Sequence, residues 1–413
     1  MGEGATYERI DSIFRQSYSQ IVSTLLDRFG MTELDVIENA VMDAFYKALK
    51  VWPFQGIPSN QKGWLYKVSY RKLLDDLRKK HRQNLGLDGI IAGIEESDEI
   101  FDDHEIQDPE LRLLFIVCHP ELKPEDQIAF MLKLVSGFGV REIANALLQQ
   151  EATIKKRLSR ARKFIREEEI KFEWPNKSDI PKRRKRVHQV LYLLFNEGYS
   201  SSHPEKWVHK DFCLEAMRLC KYLVDHPLAN HDSFALMSLM CYHISRFESR
   251  TDMDHNLILL RDQDRSKWNT YFINLGHRYL EKSANLTNEK TSYQIEAFIS
   301  AQHCLAPTLE KTDWSLLKLL YEKLHELRPN RLIVLNRVIV MIQLNELTEA
   351  KELFDELKAE DFKTHKSSYF IVGAELYAKL KDTYQAKYWI QKAVENSHSS
   401  KEGHFLQRKY SMS

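Results

Sequence analysis

The sequence predicts an almost purely α-helical protein built from several domains. Apolar residues recur every three or four positions through most of its 413 residues, which is the helical period. Glycine (14) and proline (11) are too sparse to punctuate many strands and turns, and no convincing alternating run appears.

The first block spans residues 6–82. Ile10, Ile13, Phe14, Tyr18, Ile21 and Leu25 form one stripe, Gly30 ends that helix, and Thr32 is placed to cap the next. Leu34, Ile37, Val41, Ala44, Phe45 and Leu49 form a second stripe. Pro53, Gly56 and Pro58 then predict a loop over 53–61, and a third helix runs from Ser59 to Arg82. Residues 83–108 carry nine acidic residues, three glycines and no Lys or Arg, the composition of an extended anionic tether. The next block, 109–172, predicts helices at 109–118, 124–135, 140–147 and 151–168. Pro175, Pro181 and the run Lys182 to Arg186 mark a further boundary. Helical patterning resumes over 187–285. From 290 to 410 a loose repeat appears: Leu317, Tyr321 and Leu324 return as Ala350, Phe354 and Leu357, 33 residues on, and as Ala386, Ile390 and Ala393, 36 residues after that. Tetratricopeptide units recur at about 34 residues, so stacked helix pairs are expected.

The bulk charge, +1 from 60 basic and 59 acidic residues, would argue against a nucleic-acid binder if it were evenly spread. It is segregated. Between 155 and 166 lie Lys155, Lys156, Arg157, Arg160, Arg162, Lys163 and Arg166 with no acid. Ile154, Leu158, Ala161 and Ile165 share one face of the same segment, behind a short helix with Ile143 and Leu147 inward. This is a helix-turn-helix whose second helix suits the major groove. A second cationic stretch, Asn60 to Arg82, interleaves Lys62, Lys67, Arg71, Lys72 and Arg78 with Trp64, Tyr66 and Tyr70. Rings among cations suit an unpaired strand, although Trp64 equally fits a helix core.

Other chemistry is thinly represented. The five cysteines, Cys118, Cys213, Cys220, Cys241 and Cys304, are odd in number, widely spaced and without a CxxC, which reads as buried reduced thiols in a cytoplasmic protein. His119 beside Cys118, and His203, His209, His226, His231 and His243, lack zinc-site spacing, so no metal or other cofactor is expected. The N-terminus has no basic-then-apolar signal segment. The longest apolar stretch, Leu332 to Leu344, is interrupted by Asn336, Arg337 and Gln343, so no membrane span is expected.

The first block resembles region 2 of the extracytoplasmic-function (ECF) RNA polymerase sigma factors, through Ile37-Glu38-Asn39-Ala40-Val41-Met42-Asp43-Ala44-Phe45, Gly63-Trp64-Leu65 and Leu73-Leu74-Asp75-Asp76-Leu77-Arg78. Residues 109–168 resemble region 4, through LRLLFIVCHPELKPEDQIAF and EATIKKRLSRARKFI. The remainder resembles the subgroup with a C-terminal tetratricopeptide-like extension, through VLYLLFNEGYS (190–200) and LLRDQDRSKWN (259–269).

The resemblance implies a sigma region 2 bundle, a sigma region 4 helix-turn-helix and a helical extension, in a protein that directs promoter-specific initiation and is not an enzyme. Exposed Asp35, Glu38, Asn39 and Asp43 would dock on the β′ clamp helices of core RNA polymerase, and residues 109–136 on the β flap. Lys62, Trp64, Lys67, Tyr70, Arg71, Lys72 and Arg78 would read and melt the −10 element. Thr153, Lys155, Lys156, Arg157, Arg160, Arg162 and Lys163 would read the −35 element. The tether would thread the polymerase cleft. The extension would regulate activity and offer a concave face to a protein partner. Family members often carry Gln where this chain has Met42, which puts one docking contact in question. Asn196, Glu197 and Tyr199, with Arg261, Asp262, Asp264 and Arg265, fit either a ligand or catalytic cluster or an interhelical ion network.

Two rival readings stand beside this one. A stand-alone helix-turn-helix regulator with a helical sensor would have no need of the 33–82 block. An enzyme in the extension would call for a phosphate loop, nucleophile elbow or metal motif, none of which the sequence contains.

Overall fold

The structure, a computed structural model, describes residues 3–85, 107–147, 149–199, 210–251, 258–362 and 366–397. The acidic tether expected over 83–108 lies for the most part outside the described residues. Among those described there is no β-strand, so the all-α expectation holds. The chain divides into two compact units, Met1–Val190 and Leu191–Ser413.

The first unit begins with α1 (Glu3–Phe29), α2 (Leu34–Gln55) and α3 (Gln61–Leu85). Tyr18, Ile21 and Leu25 of α1, Ile37, Val41 and Trp52 of α2, and Leu65 and Leu73 of α3 are buried against one another. Gly30 ends α1 at φ +83°, a conformation L side chains rarely adopt, and its N–H closes on the Leu26 carbonyl at 2.8 Å. Thr32 does not cap α2: residues 31–33 form a short 3₁₀ turn, and Glu33 precedes the helix without a side-chain cap. Pro53 also departs from expectation. It lies inside the last turn of α2, which runs on to Gln55 and stops at Gly56, φ +85°. The expected loop 53–61 thereby shrinks to the residues between Gln55 and Gln61. Asn60 then caps α3 by accepting the Gly63 N–H at 2.8 Å.

α4 (Gln107–Val117), α5 (Pro124–Leu134), α6 (Val140–Ala146) and α7 (Glu151–Glu167) follow, each within about two residues of the sequence-based bounds. Pro124 supplies the fixed φ of a helix start. Glu142 turns back to accept the Gly139 N–H at 2.7 Å, starting α6. α4 packs on α1 and is buried nearly all round, with Leu111, Leu113, Leu114, Phe115 and Ile116 at most 2% exposed. Gly137, at φ +71°, sits where an added Cβ would come within 2.9 Å of the Tyr18 ring. The turn before α6 is thus pressed directly onto α1.

α8 (Ile180–Tyr199) carries the basic run 182–186 as helix rather than linker, because Pro181 is its second residue, where a missing N–H costs nothing. The second unit continues with α9 (Lys210–Asp225), α10 (His231–Ser245) and α11 (Thr270–Asn285). α10 is apolar on nearly every side and is its central helix. Gly276 of α11 lets that helix approach α10, where an added Cβ would lie 2.8 Å from the Tyr242 ring, and Ser238 bonds the Gly276 carbonyl at 2.8 Å.

The rest is a run of helix pairs: α12 (Ser292–Leu305) with α13 (Trp314–Leu327), α14 (Arg331–Gln343) with α15 (Leu347–Asp355), and α16 (Lys366–Lys379) with α17 (Thr383–Glu395). Asn269, Thr291, Asp313, Asn330 and Asp382 accept backbone N–H groups at the starts of α11, α12, α13, α14 and α17. The repeat residues Leu317, Ala350 and Ala386 are all buried, each on the second helix of its pair. No helix among the described residues is long and apolar enough to cross a membrane.

Candidate nucleic-acid interface

α7 owes its orientation to spacing. Ile154, Leu158, Ala161 and Ile165 recur at intervals of four, three and four residues and are buried against α5 and α6. The opposite face carries the cations, and they fall into two groups. Lys155 and Lys156 are exposed, Arg157 and Thr153 half-buried, and among the described residues none of the three cations pairs with an acid. The first two turns of α7 thus present bare positive charge, at the end of the helix that reaches base edges in helix-turn-helix proteins.

The second half of α7 is engaged inside the molecule. Arg160 spans the buried carboxylate of Asp126 in α5 with both arms of its fork, Nε at 3.0 Å and an Nη at 2.6 Å. Arg162 is half-buried and donates to Glu38 Oε2 at 2.6 Å, with its Nε 3.0 Å from Asp35 Oδ1. Arg166 stands 3.8 Å from Asp35, and Lys163 pairs along the helix with Glu167 at 3.4 Å. Arg160 and Arg162, both expected at the −35 element, therefore have carboxylate partners in this structure.

The acidic residues of α2 are correspondingly divided. Asp35, Asn39 and Asp43 are exposed as expected. Glu38 is not: its side chain is 8% exposed. It accepts from Arg162 and, at 3.2 Å, from the Tyr18 hydroxyl, and Lys133 stands 4.0 Å away. This corrects the expectation of an exposed Glu38. Position 38 lies at the edge of the α2 apolar stripe, where α1 and α7 close over it. Burial and the neighbouring Glu38 carboxylate hold the Tyr18 hydroxyl well above its ordinary pKa. The solvent face of α2 is unexpectedly apolar, with Met42, Tyr46 and Leu49 exposed at i, i+4 and i+7 and Phe54 beyond them. Met42, where a glutamine was the family expectation, is one member of that stripe.

On α3, Lys67, Arg71 and Arg78 are exposed. Lys72 is tied to Asp76 at 2.9 Å and to Asp43 at 3.4 Å, and Arg78 stands 3.8 Å from Asp75. Lys62 and Trp64 are half-buried, Trp64 edge-on to Trp52 at 5.3 Å. Tyr70, expected on the strand-reading face, is instead 7% exposed, stacked with Tyr66 and lying under the Arg28 guanidinium at 4.9 Å. Its place three residues from Leu73 on the apolar side of α3 explains the difference. Asp126, Lys133 and the exposed apolar stripe of α2 have no counterpart in the sequence-based expectations; Tyr18 is expected there only as a core residue of α1, and Leu49, expected on the inward stripe of α2, lies on the exposed one. Only the stripe had a local signal, a 3.5-residue spacing on the far side of a helix already known to be amphipathic.

His119 packs its ring on Phe164 at 4.9 Å, and burial, reinforced by Arg183, lowers its pKa to about 4. Among the described residues no group of three or more His, Cys, Asp or Glu side chains is arranged to hold a metal ion.

Residues 112–165, α4 to α7, match the family model described as sigma-70, region 4. Residues 183–284 match a family of unknown function, DUF6596. An uncharacterized protein of Rhizobium meliloti, R00370, is 33% identical over 337 residues, 80% of this chain and 79% of that protein. A probable ECF RNA polymerase sigma factor, SigI, of Mycobacterium tuberculosis is 26% identical over 173 residues, 40% of this chain and 57% of that protein. No solved structure matches the chain. The chain therefore belongs to the family of the Rhizobium meliloti protein, and the helix-turn-helix it carries is a sigma-70 region 4.

Proposed function

We propose that this chain is an ECF-type sigma factor that binds core RNA polymerase and directs promoter-specific initiation. The observation that carries the reading is the division of charge on α7: three bare cations at its start, on a helix anchored from behind by Asp126. Lys155, Lys156 and Arg157, with Thr153, are the −35 contacts available as the molecule stands. Arg160, Arg162 and Lys163 join them in the polymerase-bound form. Residues 6–82 form region 2, with Lys62, Trp64, Lys67, Arg71, Lys72 and Arg78 toward the −10 element and Tyr70 supporting them from within. The stripe Met42, Tyr46 and Leu49, flanked by Asp35, Asn39 and Asp43, is the docking face for the β′ clamp helices, with Glu38 joining once α7 moves away. An exposed apolar stripe rimmed by acids suits a basic-rimmed coiled coil.

On this reading the structure is a closed form. The same carboxylates that would meet polymerase are held by cations that would meet the −35 element. Binding polymerase exchanges one set of partners for the other, so promoter contact and polymerase contact become available together. Residues 83–108 are the tether that permits the change. The extension, 187–285 followed by tetratricopeptide-like pairs over 290–410, regulates this activity in the cytoplasm and offers its concave face to a protein partner.

The test is reconstituted transcription. Full-length protein added to bacterial core polymerase should start transcripts at a defined promoter set, and a chain ending at residue 190 should start them with altered efficiency. Tight operator binding without polymerase, and no initiation with it, would reject the sigma reading. Identical profiles from the two chains would reject the regulatory role of the extension.

A further inference from the structure

The extension contains three arginines that form no ion pair among the described residues. Arg246 caps the C-terminus of α10, Arg250 follows the 3₁₀ turn after it, and Arg265 lies in the turn before α11. Arg246 is 9% and Arg250 7% exposed, and Arg265 is half-buried. Their partners are neutral. Arg246 donates to the Tyr199 hydroxyl and meets His243 Nδ1, both at 2.8 Å. Arg250 donates to the Tyr199 carbonyl and covers the Tyr199 ring at 3.5 Å. Arg265 donates to the carbonyls of His303 and Ala306.

Two rings join the three into one cluster. Arg246 and Arg250 share Tyr199, while Arg246 and Arg265 share Trp268, at 5.7 and 5.0 Å. Among the described residues no carboxylate forms an ion pair with any of them. Exposed Glu310 acts on Arg265 only at a distance. The α10 C-terminus offsets roughly half a charge, against three. His243 adds no cation, because burial and then Arg246 and Arg250 hold it neutral.

Four buried nitrogens in this cluster have no hydrogen-bond partner among the described residues: Arg246 Nε, an Nη of Arg265, Trp268 Nε1 and His303 Nδ1. Buried polar groups in folded proteins are normally satisfied, and buried charges are paired or neutralised. Here unpaired charge and unused donors coincide. A planar guanidinium fork matches the oxygens of carboxylate and phosphate alike, but a phosphate carries a charge of about −1.5 to −2 near neutral pH, closer to what three guanidiniums require.

We propose that Arg246, Arg250 and Arg265, with Trp268 and His303, form a binding site for a phosphate dianion, free or borne by a small phosphorylated molecule. Three of the five residues belong to the segment 183–284 that matches the family of unknown function, and a fourth, Trp268, lies there too, so the proposal gives that segment a chemistry. It is independent of the sigma-factor reading.

The experiment uses the full-length protein at fixed ionic strength, with inorganic phosphate, glycerol phosphate, succinate or chloride as probe. Thermal unfolding and titration calorimetry are the readouts. Phosphate at roughly a hundredfold excess over its Kd should raise the melting temperature by about 5 °C or more relative to chloride. A larger shift with glycerol phosphate assigns the site to a phosphorylated metabolite, and a larger shift with inorganic phosphate assigns it to the free ion. Arg246→Gln should weaken binding about tenfold or more yet melt no lower than the parent in chloride, because a buried unpaired charge is gone. Should Arg246→Gln fail to fold, Arg265→Lys keeps a charge for the two carbonyls but loses the fork, and should weaken phosphate binding in the same way. Equal melting in phosphate and chloride, equal shifts with succinate, or unchanged affinity in the folded variant would each overturn the proposal.

Discussion

Replacing Arg162 with Met keeps the length of the side chain and removes its charge, so it isolates the contact between α2 and α7. Glu38 would then keep the Tyr18 hydroxyl at 3.2 Å and Lys133 at 4.0 Å, but lose its strongest donor at 2.6 Å. Breaking a buried pair from one side costs about 3 to 5 kcal/mol. The remaining Lys133 and Tyr18 reduce this to about 2 to 3 kcal/mol. The Asp35 contact adds little: it is 57% exposed, and exposed pairs contribute about 1 kcal/mol at most. Arg162 Nε meets Asp35 at 3.0 Å without hydrogen-bond alignment, which points the same way.

The protein need not bear this cost by unfolding. Moving α7 away from α2 returns Glu38 to water, so the substitution shifts the closed form toward an open one by up to roughly 30-fold for 2 kcal/mol. If docking on polymerase requires the open form, apparent affinity rises with the fraction already open. Arg162→Met should therefore bind DNA-free core polymerase about tenfold or more tightly than the parent, measured by fluorescence anisotropy. Amide exchange in α2 should accelerate in the same variant. An unchanged or weakened polymerase affinity, with α2 protected as before, would refute the closed-form argument even if the variant were folded.

Two further expectations rest on other contacts. Arg157→Ala should weaken promoter binding by about 1 to 3 kcal/mol and relax selectivity at one −35 position, whereas Arg160→Ala should in addition cost stability, about 1 to 2 kcal/mol, because Asp126 is left buried without its fork; footprinting beside urea unfolding separates them. Burial, aided by Arg183 at His119 and by Arg246 and Arg265 at His303, lowers these two pKa values to about 4 and about 3, so the folded protein stays neutral where the unfolded chain takes up protons. Their stabilisation is complete above pH 6.5 or so and is lost as pH falls toward 4, at about 1.4 kcal/mol per pH unit for each histidine. His303→Asn should flatten that slope in urea titrations at pH 7, 6 and 5, and an unchanged slope would show His303 to be uninvolved.

The helix-turn-helix was legible almost to the residue because its determinants are local: Pro124 at a helix start, Glu142 folding back on Gly139, and the 4-3-4 spacing of Ile154, Leu158, Ala161 and Ile165. Glu38 was not legible. It sits beside Ile37 on α2, where periodicity alone puts it at the border between core and solvent, and the residue that decides, Arg162, is 124 positions away. Tyr70 differs for the opposite reason: its neighbours Lys67 and Arg71 face out, and composition carries no information on which way Tyr70 faces. Pro53 carries a breaker signal in the sequence, but a proline in a last turn removes a single hydrogen bond that the helix end can spare. In the extension, the spacing of Leu317, Ala350 and Ala386 marks the second helix of each pair, but nothing in the sequence separates Arg246 and Arg250 from an ordinary i,i+4 surface pair. Only the fold shows that they face Tyr199 and not water.

In a chain whose net charge is only +1, much of the charge on the strongly cationic helix α7 is balanced by acids within the same unit. Of the seven cations from 155 to 166, Arg160, Arg162 and Arg166 face acids elsewhere in the same unit, and Lys163 has Glu167 one turn away. Three remain bare. Duplex binding releases counterions in proportion to the phosphates neutralised, with a slope of about −0.9 per contact in log K against log salt. The free protein should therefore bind duplex −35 DNA with a slope near −3, or about −4 if Lys163 leaves Glu167. Arg162→Met, in which α7 is no longer held to α2, frees Arg166 and should steepen the slope by about one despite having one cation fewer. That result distinguishes masking from loss of a contact, since a helix that was never masked would show the slope falling by about one.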